Sequence, residues 1–258
     1  MREPLTRLAT CPGKRHLAGE RWLLGGETMP FPAGRALSSH CGYARVVPQP
    51  PELTSPLSLM DQTAWALSAK KAIRTKQRAL RLALPERAAA ARSERVVQRL
   101  LAHERVTLAK GVALFWPMLE RREIDLRPLD LQLRARGVRI YYPAMVASAL
   151  GGIETSFRLV SNLDELAPRG KRFAEPSPEA PLAARGDIDV VMVPALAATP
   201  SGHRLGYGAG FYDATLPDIC PPAFSIVVVN DFQLMLELPL ETHDVRCDEV
   251  VTDAVSKP

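Results

Sequence analysis

The chain of 258 residues is 47% hydrophobic and 24% charged, which is typical of a globular protein large enough for one good-sized core. Its formal net charge of +5 favours anionic partners such as a phosphorylated ligand, a polyglutamate or a nucleic acid. No apolar run approaches the roughly 20 residues that a bilayer-spanning helix needs, so the composition gives no support to a membrane-embedded protein.

Residues 1–60 differ in composition from the rest of the chain. They hold eight of the 23 prolines, and their short apolar pieces keep neither a helical nor a strand period. Residues 46–56 cannot form a regular element, because proline lacks the amide donor and restricts the residue before it. We expect a disordered extension, or a chain whose proper start is Met60. A transit peptide with several arginines and few acids is the alternative.

From Asp61 onward the pattern becomes regular. Residues 62–84 form a helix that carries Ile73, Leu80 and Leu84 on one face. An adjacent face is basic and carries Lys70, Arg74, Arg78 and Arg81. A second helix follows over residues 85–106, with proline at its first turn.

The remaining elements alternate between strands and helices. Buried strands are predicted at residues 111–116, 138–143, 187–194, 224–229 and 248–253, with an edge strand at 155–160. Helices are predicted at residues 126–137, at 211–216 and, as a short piece, after the strand at 224–229. This alternation predicts one three-layer α/β domain over residues 61–258, with a mostly parallel, Rossmann-like sheet flanked by helices.

The four cysteines are scattered and form no CxxC pair, which argues against a zinc knuckle or a disulfide framework. A reducing, cytoplasmic location is therefore expected. His243 and Cys247 lie at helical spacing and are a weak candidate for a shared metal, because no second pair lies nearby.

The segment "SGHRLGYGAGFYDATL", residues 201–216, places four glycines beside an arginine, three aromatic residues and an aspartate. It follows a strand and leads into a helix, and free amides at such a place bind anions. The glycine spacing does not match a dinucleotide fingerprint, and the lysine and hydroxyl residue of a Walker loop are missing. A different phosphate loop, with Arg204 in front and Asp213 behind, is favoured over a purely structural turn.

These residues resemble the signature of the 5-formyltetrahydrofolate cyclo-ligase family, also called 5,10-methenyltetrahydrofolate synthetase, which reads V-P-x-x-A-F-D-x-x-G-x-R-L-G-x-G-x-G-x-Y-D. The resemblance extends from about Ala69 to Asp253. It includes "KKAIR" on the first helix, "REID" after the first strand, "AEP" at residues 174–176 and the closing "PLETHDVRCDEVVT".

The resemblance implies an enzyme that closes the ring of 5-formyltetrahydrofolate to give 5,10-methenyltetrahydrofolate, with ATP and Mg²⁺, releasing ADP and phosphate. The formyl oxygen attacks the γ-phosphate to give a phosphorylated imine, to which nitrogen 10 adds before phosphate leaves. The protein's task is then to align the reactants and neutralise charge. A monomer acting on small molecules, with no membrane or nucleic-acid partner, is expected.

The resemblance also assigns roles to individual residues. Those implied to bind ATP are Lys70, Arg74, Arg204, Leu205, Gly206, Tyr207, Gly208, Ala209, Gly210, Phe211 and Tyr212. Those implied to contact the folate are Met118, Glu123, Tyr207, Gly208, Ala209, Gly210 and Phe211. Arg204 and Tyr212 are the predicted catalytic residues, and Asp213 and Asp244 the predicted magnesium ligands. Arg78 and Arg81 are interpreted as a solvated basic stripe.

Four positions depart from the family pattern. Ala198 and Thr199 replace the usual Phe-Asp, which predicts a looser wall of the folate pocket. Leu126 replaces a common threonine, and Phe211 with Tyr212 replaces Tyr-Tyr. Two rival hypotheses are a diverged relative without this activity and a basic nucleic-acid-binding protein, although the basic helices lack the interleaved aromatic residues that stack on bases.

Overall fold

The computed structural model describes residues 59–147, 153–169 and 173–254. The predicted extension, residues 1–60, lies outside them except for its last two residues, which begin the first helix. The described residues contain five α-helices: α1 (Leu59–Leu82), α2 (Glu86–Ala102), α3 (Glu104–Leu108), α4 (Arg127–Ala135) and α5 (Phe211–Ile219). Short 3-10 helices span Leu119–Arg121, Leu163–Glu165 and Asp231–Gln233.

The strands of the described residues are β1 (Gly111–Ala113), β2 (Arg139–Ala147), β3 (Ile153–Leu159), β4 (Ala167–Pro168), β5 (Ala174–Glu175), β6 (Val190–Pro194), β7 (Ala197–Ala198), β8 (Arg204–Leu205), β9 (Phe224–Val228) and β10 (Glu249–Val251). Six of them form one sheet in the order β10-β9-β6-β1-β2-β3. All neighbours in it pair in parallel except β2 and β3, so the predicted mostly parallel sheet is confirmed.

Helices pack on both faces of this sheet because the central strands are apolar on both sides. Val190 and Met192 of β6 join one core cluster, together with residues of α2 and α4. Val191 and Val193 join the other cluster, with Phe211 and other residues of α5. Continuous apolar strands of this kind are expected when a parallel sheet is covered on both faces.

Several predicted elements differ in extent. The second helix is interrupted at His103, whose extended backbone separates α2 from α3. The strand predicted over residues 111–116 ends at Ala113, and the chain then runs along the carboxyl edge of the sheet. The predicted edge strand is confirmed as β3, which pairs antiparallel with β2. The short helix predicted after β9 is the 3-10 helix Asp231–Gln233.

Helix α1 buries a polar face, which corrects the expectation from its apolar residues. Leu80 is 43% exposed, whereas Lys70, Gln77 and Arg81 are buried. The helix lies against β7 and the 3-10 helix Leu119–Arg121, where polar groups of the cavity described below are its neighbours. Hydrophobic periodicity therefore identified the helix correctly but not the face that it buries.

None of the helices in residues 59–147, 153–169 and 173–254 combines the length and the hydropathy that crossing a bilayer requires.

Candidate active site

A cavity of about 550 Å³ opens at the carboxyl edge of the parallel sheet. Its walls come from α1, from the segment after β1, from the β2 and β6 strands and from the glycine loop, residues 204–213. In open α/β sheets this edge is the usual place for a ligand. Every predicted site residue except Lys70 lines the cavity, and these are Arg74, Met118, Glu123, residues 204–213 and Asp244.

The glycine loop is held against α1 by Arg74. The Nε of Arg74 donates to the carbonyl oxygen of Gly206 at 3.0 Å. Gly208 has a φ of +95°, and a Cβ added there would lie 3.3 Å from Cζ of Arg74. A residue with a side chain is therefore disfavoured at Gly208 both by its backbone conformation and by this close approach. Arg74 thus contacts the glycine loop, and its predicted role as an ATP ligand stays a prediction.

Arg204 fastens the loop to a distant part of the chain. It is buried, and its Nη2 donates to Oδ1 of Asp213 at 2.8 Å. Its Nη1 donates to the carbonyl oxygen of Val245, whose amide donates to the same Oδ1 of Asp213 at 3.1 Å. Both terminal nitrogens of the guanidinium, Nη1 and Nη2, therefore have protein acceptors, and Arg204 orients Asp213 toward the cavity.

Asp244 belongs to an ion cluster in which Lys70 is buried and the two carboxylates are half-buried. The Nζ of Lys70 donates to Oδ2 of Asp244 at 2.7 Å and to Oε2 of Glu241 at 2.6 Å. Burial works against the charge of Lys70, but the two carboxylates outweigh it and raise the pKa of Lys70. Burial likewise opposes ionisation of Asp244, yet the hydrogen bond from Lys70 and the Glu241 amide leave its pKa lowered.

The structure groups the potential metal ligands differently from the sequence prediction. Ligand atoms of Glu241, His243 and Asp244 all lie within 4.8 Å of one another. Neither Asp213 nor Cys247 belongs to that group of described residues. Cys247 is buried, with its Sγ 3.6 Å from Nη1 of Arg204. The pairing of His243 with Cys247 that helical spacing suggested is therefore not the arrangement in the structure.

Arg81 joins the cavity wall, which corrects its interpretation as a solvated charge. Only 3% of Arg81 is exposed. Its Nη2 donates to the hydroxyl of Tyr207, and that hydroxyl donates to Oε1 of Glu123 at 2.5 Å. The other carboxylate oxygen of Glu123 accepts the amide of Met118 at 2.8 Å. Arg78 does stay exposed, with its Cζ 5.4 Å from the centre of the Tyr207 ring.

Tyr212 presents a phenol that lacks a protein partner. Its hydroxyl is buried and makes no hydrogen bond within the described residues, although the residue lines the cavity. Burial raises the pKa of Tyr212, with the charge of Glu123 adding to the effect. The phenol is therefore neutral near pH 7.

The opposite wall is apolar and was largely missed at the sequence level. It comprises Phe115, Trp116, Pro143, Met145 and Phe173. Short apolar stretches next to strands do not reveal which residues stay in the core and which reach a cavity. For Arg81 a signal existed, because it lies two helical turns after Arg74 and so shares its face. Glu241 lay in the quoted closing motif but was not singled out.

Of the departures from the family pattern, Phe211 lines the cavity, whereas Ala198, Thr199 and Leu126 do not. Ala198 and Thr199 are buried in and beside the β7–β8 hairpin, where Oγ1 of Thr199 lies 2.8 Å from Oγ of Ser201. Neither residue lines the cavity, so the expected loosening of its wall is not supported. Leu126 is buried in the core at the start of α4.

Fold and cavity together define an α/β protein with a glycine loop and a partly apolar pocket at the carboxyl edge of its sheet. The model of the 5-formyltetrahydrofolate cyclo-ligase family matches residues 66–253. The chain therefore belongs to this family of enzymes.

Individual relatives agree with the family match. The 5-formyltetrahydrofolate cyclo-ligase of Escherichia coli strain K12 is 30% identical over 168 residues, which is 62% of this chain and 86% of that protein. The protein of the same name from Mycolicibacterium smegmatis is 49% identical over 77 residues, a match that spans 30% of this chain and 40% of the relative's own length.

Solved structures show the same fold. The NMR structure of Aquifex aeolicus 5,10-methenyltetrahydrofolate synthetase has a TM-score of 0.61 and 28% sequence identity. That similarity covers 71% of this chain and 89% of the other chain. The shared part is the α/β domain that carries the cavity.

Proposed function

We propose that this chain catalyses the cyclisation of 5-formyltetrahydrofolate to 5,10-methenyltetrahydrofolate, with ATP and Mg²⁺, releasing ADP and phosphate. The observation that carries the proposal is one cavity that both the glycine loop and Glu123 line. A nucleotide phosphate on the loop and a folate ring on Glu123 would then meet inside a single site. Such proximity is what a reaction between two bound substrates requires.

The chemistry assigns a task to each wall. The formyl oxygen forms a bond to the γ-phosphorus while the bond from that phosphorus to the ADP oxygen breaks. Nitrogen 10 then adds to the activated carbon, and the carbon–oxygen bond breaks to release phosphate. Arg74 and the amides of the glycine loop would neutralise the phosphoryl charge, and the neutral phenol of Tyr212 would donate to an oxygen of the reacting groups.

The folate would lie between Glu123 and the apolar wall. A carboxylate suits the adjacent N–H donors of the pterin ring. Trp116, Met118 and Phe173 offer apolar surface to the flat rings. The two oxygens of Glu123 already accept from Tyr207 and Met118, so its orientation is fixed before any ligand arrives.

Mg²⁺ fits the oxygen donors at this edge of the cavity. Asp244 lines the cavity and lies beside Glu241, and Asp213, the last residue of the glycine loop, lies on the first turn of α5. These carboxylates would hold the ion, which neutralises charge on the phosphate oxygens when bound. Lys70 acts here as the counter-charge that keeps Asp244 and Glu241 together. Its predicted role as a direct ATP ligand stays a prediction.

The orientation of α1 weakens the nucleic-acid alternative. Two arginines of the basic first helix line the cavity: Arg81 is buried there and Arg74 is half-buried. A cytoplasmic location and a monomeric state stay predictions.

The direct test follows product formation by the absorbance of the methenyl compound. Purified protein receives 5-formyltetrahydrofolate with both ATP and Mg²⁺, or with either one omitted. We expect product only when all components are present. Arg74→Met should raise the KM for ATP roughly tenfold or more, because a charged hydrogen-bond donor is lost. Arg87→Met, an exposed change on α2, is the control.

Product without ATP, or none from the wild-type protein with all components, would contradict the proposal. Arg74 is preferred to Arg204 for this test because Arg204 is buried among protein acceptors, so its removal would also disturb the fold.

A further inference from the structure

The buried guanidinium of Arg81 is a charge to which the roles above assign no task. It reaches three parts of the chain from the inner face of α1. Its Nε donates to the carbonyl oxygen of Arg121 at 2.7 Å, and its Nη2 donates to the hydroxyl of Tyr207. The same Nη2 lies 3.7 Å from Oε1 of Glu123.

A buried charge is costly unless hydrogen bonds and an opposite charge offset it. Arg81 meets both conditions, because it donates hydrogen bonds and lies beside the carboxylate of Glu123. Only 5% of Glu123 is exposed. The hydroxyl of Tyr207 bridges Arg81 and Glu123, because it accepts a hydrogen bond from Arg81 and donates one to Glu123. Tyr207 belongs to the glycine loop, whereas Glu123 belongs to the segment after β1. The chain of contacts therefore connects α1, the glycine loop and that segment.

We propose that Arg81 is a positioning residue of the cyclisation reaction, which holds Tyr207 of the glycine loop against Glu123 and keeps the Glu123 carboxylate charged and oriented for the folate ring. The inference rests on the proposed function. It adds a residue that contacts neither substrate in this scheme and acts through the two residues that do. Loss of Arg81 then affects folate binding through the charge of Glu123.

The surroundings of Glu123 make this charge sensitive to Arg81. Burial raises the pKa of Glu123, and Arg81 is the strongest of the influences that lower it. The groups that face Glu123 come from four elements: Arg81 on α1, Met118 and Arg121 at the 3-10 helix, Tyr207 on the glycine loop and Tyr212 on α5. Since the tyrosines are neutral near pH 7, Arg81 and Arg121 are the charges that stabilise the carboxylate.

The test compares pH profiles of kcat/KM for 5-formyltetrahydrofolate at saturating ATP and Mg²⁺. Removal of Arg81 leaves Glu123 with a higher pKa, so the acid limb of Arg81→Met should move to higher pH. Near neutral pH the KM for 5-formyltetrahydrofolate should rise about tenfold or more, and it should fall again as the pH is raised. Titration of ATP is common to both proteins and cancels in the comparison. Arg87→Met is the control for replacing an arginine.

Two further variants keep the inference testable if Arg81→Met fails to fold. Tyr207→Phe removes the shared hydroxyl but leaves the ion pair, so a smaller shift of the acid limb in the same direction is expected. Arg81→Lys keeps the charge but not both hydrogen bonds, to Arg121 and to Tyr207. Its acid limb should therefore lie closer to that of the wild-type protein than its KM for 5-formyltetrahydrofolate does. Effects of Arg81 and Tyr207 should be non-additive, because the two residues share one contact chain.

The role of Arg81 would be overturned if Arg81→Met had the acid limb and the folate KM of the wild-type protein. If Arg81→Met does not fold, the same result in Tyr207→Phe and Arg81→Lys would overturn it. The wild-type turnover would then still support the proposed function. Absence of ATP-dependent product from the wild-type protein is a different result, because it overturns the proposed function itself and this inference with it.

Discussion

Lys70 shows how one buried side chain can fix the state of two others. Its ammonium group is shared between Glu241 and Asp244, and neither carboxylate is fully exposed. Without Lys70 the two acids would face each other with no protein cation between them. Each would then be harder to ionise, because burial and like charge both favour the protonated form.

Lys70→Met should therefore lower the free energy of unfolding near pH 7 by about 2 kcal/mol, because charge-assisted hydrogen bonds to two half-buried carboxylates are lost. The pKa of Asp244 is lowered by folding, so its contribution is present above the ordinary carboxylate range and is lost as the pH falls through the folded-state value. The pKa of Lys70 is raised by folding, so its contribution is present below the ordinary lysine value and is lost as the pH rises through the folded-state value.

Chemical denaturation of the wild-type protein and of Lys70→Met between acid and alkaline pH measures the difference in their free energies of unfolding. This difference should be largest around neutrality and should shrink below about pH 4 and above about pH 10.5. Lys76→Met, on the exposed side of the same helix, is the control. An equal loss in Lys76→Met, or a difference that does not change with pH, would contradict the assigned pairing.

The sequence could name these residues but not their partners. Arg81 was interpreted as solvated because a row of basic residues along a helix has the same pattern whether it faces water or a polar cavity. Lys70 is assigned to the ATP phosphates by the family resemblance alone, and that role stays a prediction. Only contacts between residues far apart in the chain, such as Lys70 with Asp244 or Arg81 with Tyr207, separate the two cases.

The glycine loop makes different demands on glycines two positions apart. Gly208 has a positive φ and lies against Arg74, whereas a Cβ at Gly206 would meet nothing within 4 Å. Gly208→Ala should lower the free energy of unfolding by about 1–2 kcal/mol, because alanine is strained in this backbone region. Gly206→Ala should change it by less than about 0.5 kcal/mol.

Thermal unfolding of the two alanine variants side by side tests this difference. Equal loss at both positions would show that the loop conformation is not the one described. The sequence marked the glycine cluster and its anion-binding role as a unit. Which glycine needs its conformational freedom depends on φ and on the approach of Arg74, and neither can be predicted from spacing.

For the molecule as a whole, the parallel sheet and its helices were predictable because long apolar strands alternate with helical patterns. Strand order was not predicted, since every strand of a doubly covered sheet has the same apolar character. The edge position of β3 was predictable because its residues are less uniformly apolar. The short hairpins β4–β5 and β7–β8 carry two residues per strand, which is too few for a periodic signal.

The end of the described chain is fastened to α2 through Asp253. Its Oδ2 accepts from Arg92 at 2.6 Å and from Arg95 at 2.9 Å, and its Oδ1 accepts the amide of Asp231 at 2.8 Å. Asp253 does not line the cavity. Asp253→Ala should therefore lower the free energy of unfolding by about 2 kcal/mol and leave the KM for both substrates unchanged.

Urea denaturation together with steady-state kinetics separates these two effects. Asp218→Ala, an exposed change on α5, is the control. Raised KM values in folded Asp253→Ala would show that the chain end acts on the site, and unchanged stability would show that the cluster contributes little.

The pairing of Lys70 with Glu241 and Asp244 also bears on how the chain is made. The partners are separated by 171 and 174 residues, so they emerge from a ribosome far apart in time. The central strand β1 likewise pairs with β6, a long way downstream. Helix α1 and the glycine loop can be synthesised, and even begin to fold, while the carboxylates that neutralise Lys70 are still unmade. If α1 packed against the domain before residue 241 was made, Lys70 would be buried without its counter-ions, at a cost in free energy. Packing of α1 is therefore favoured only when synthesis is nearly finished.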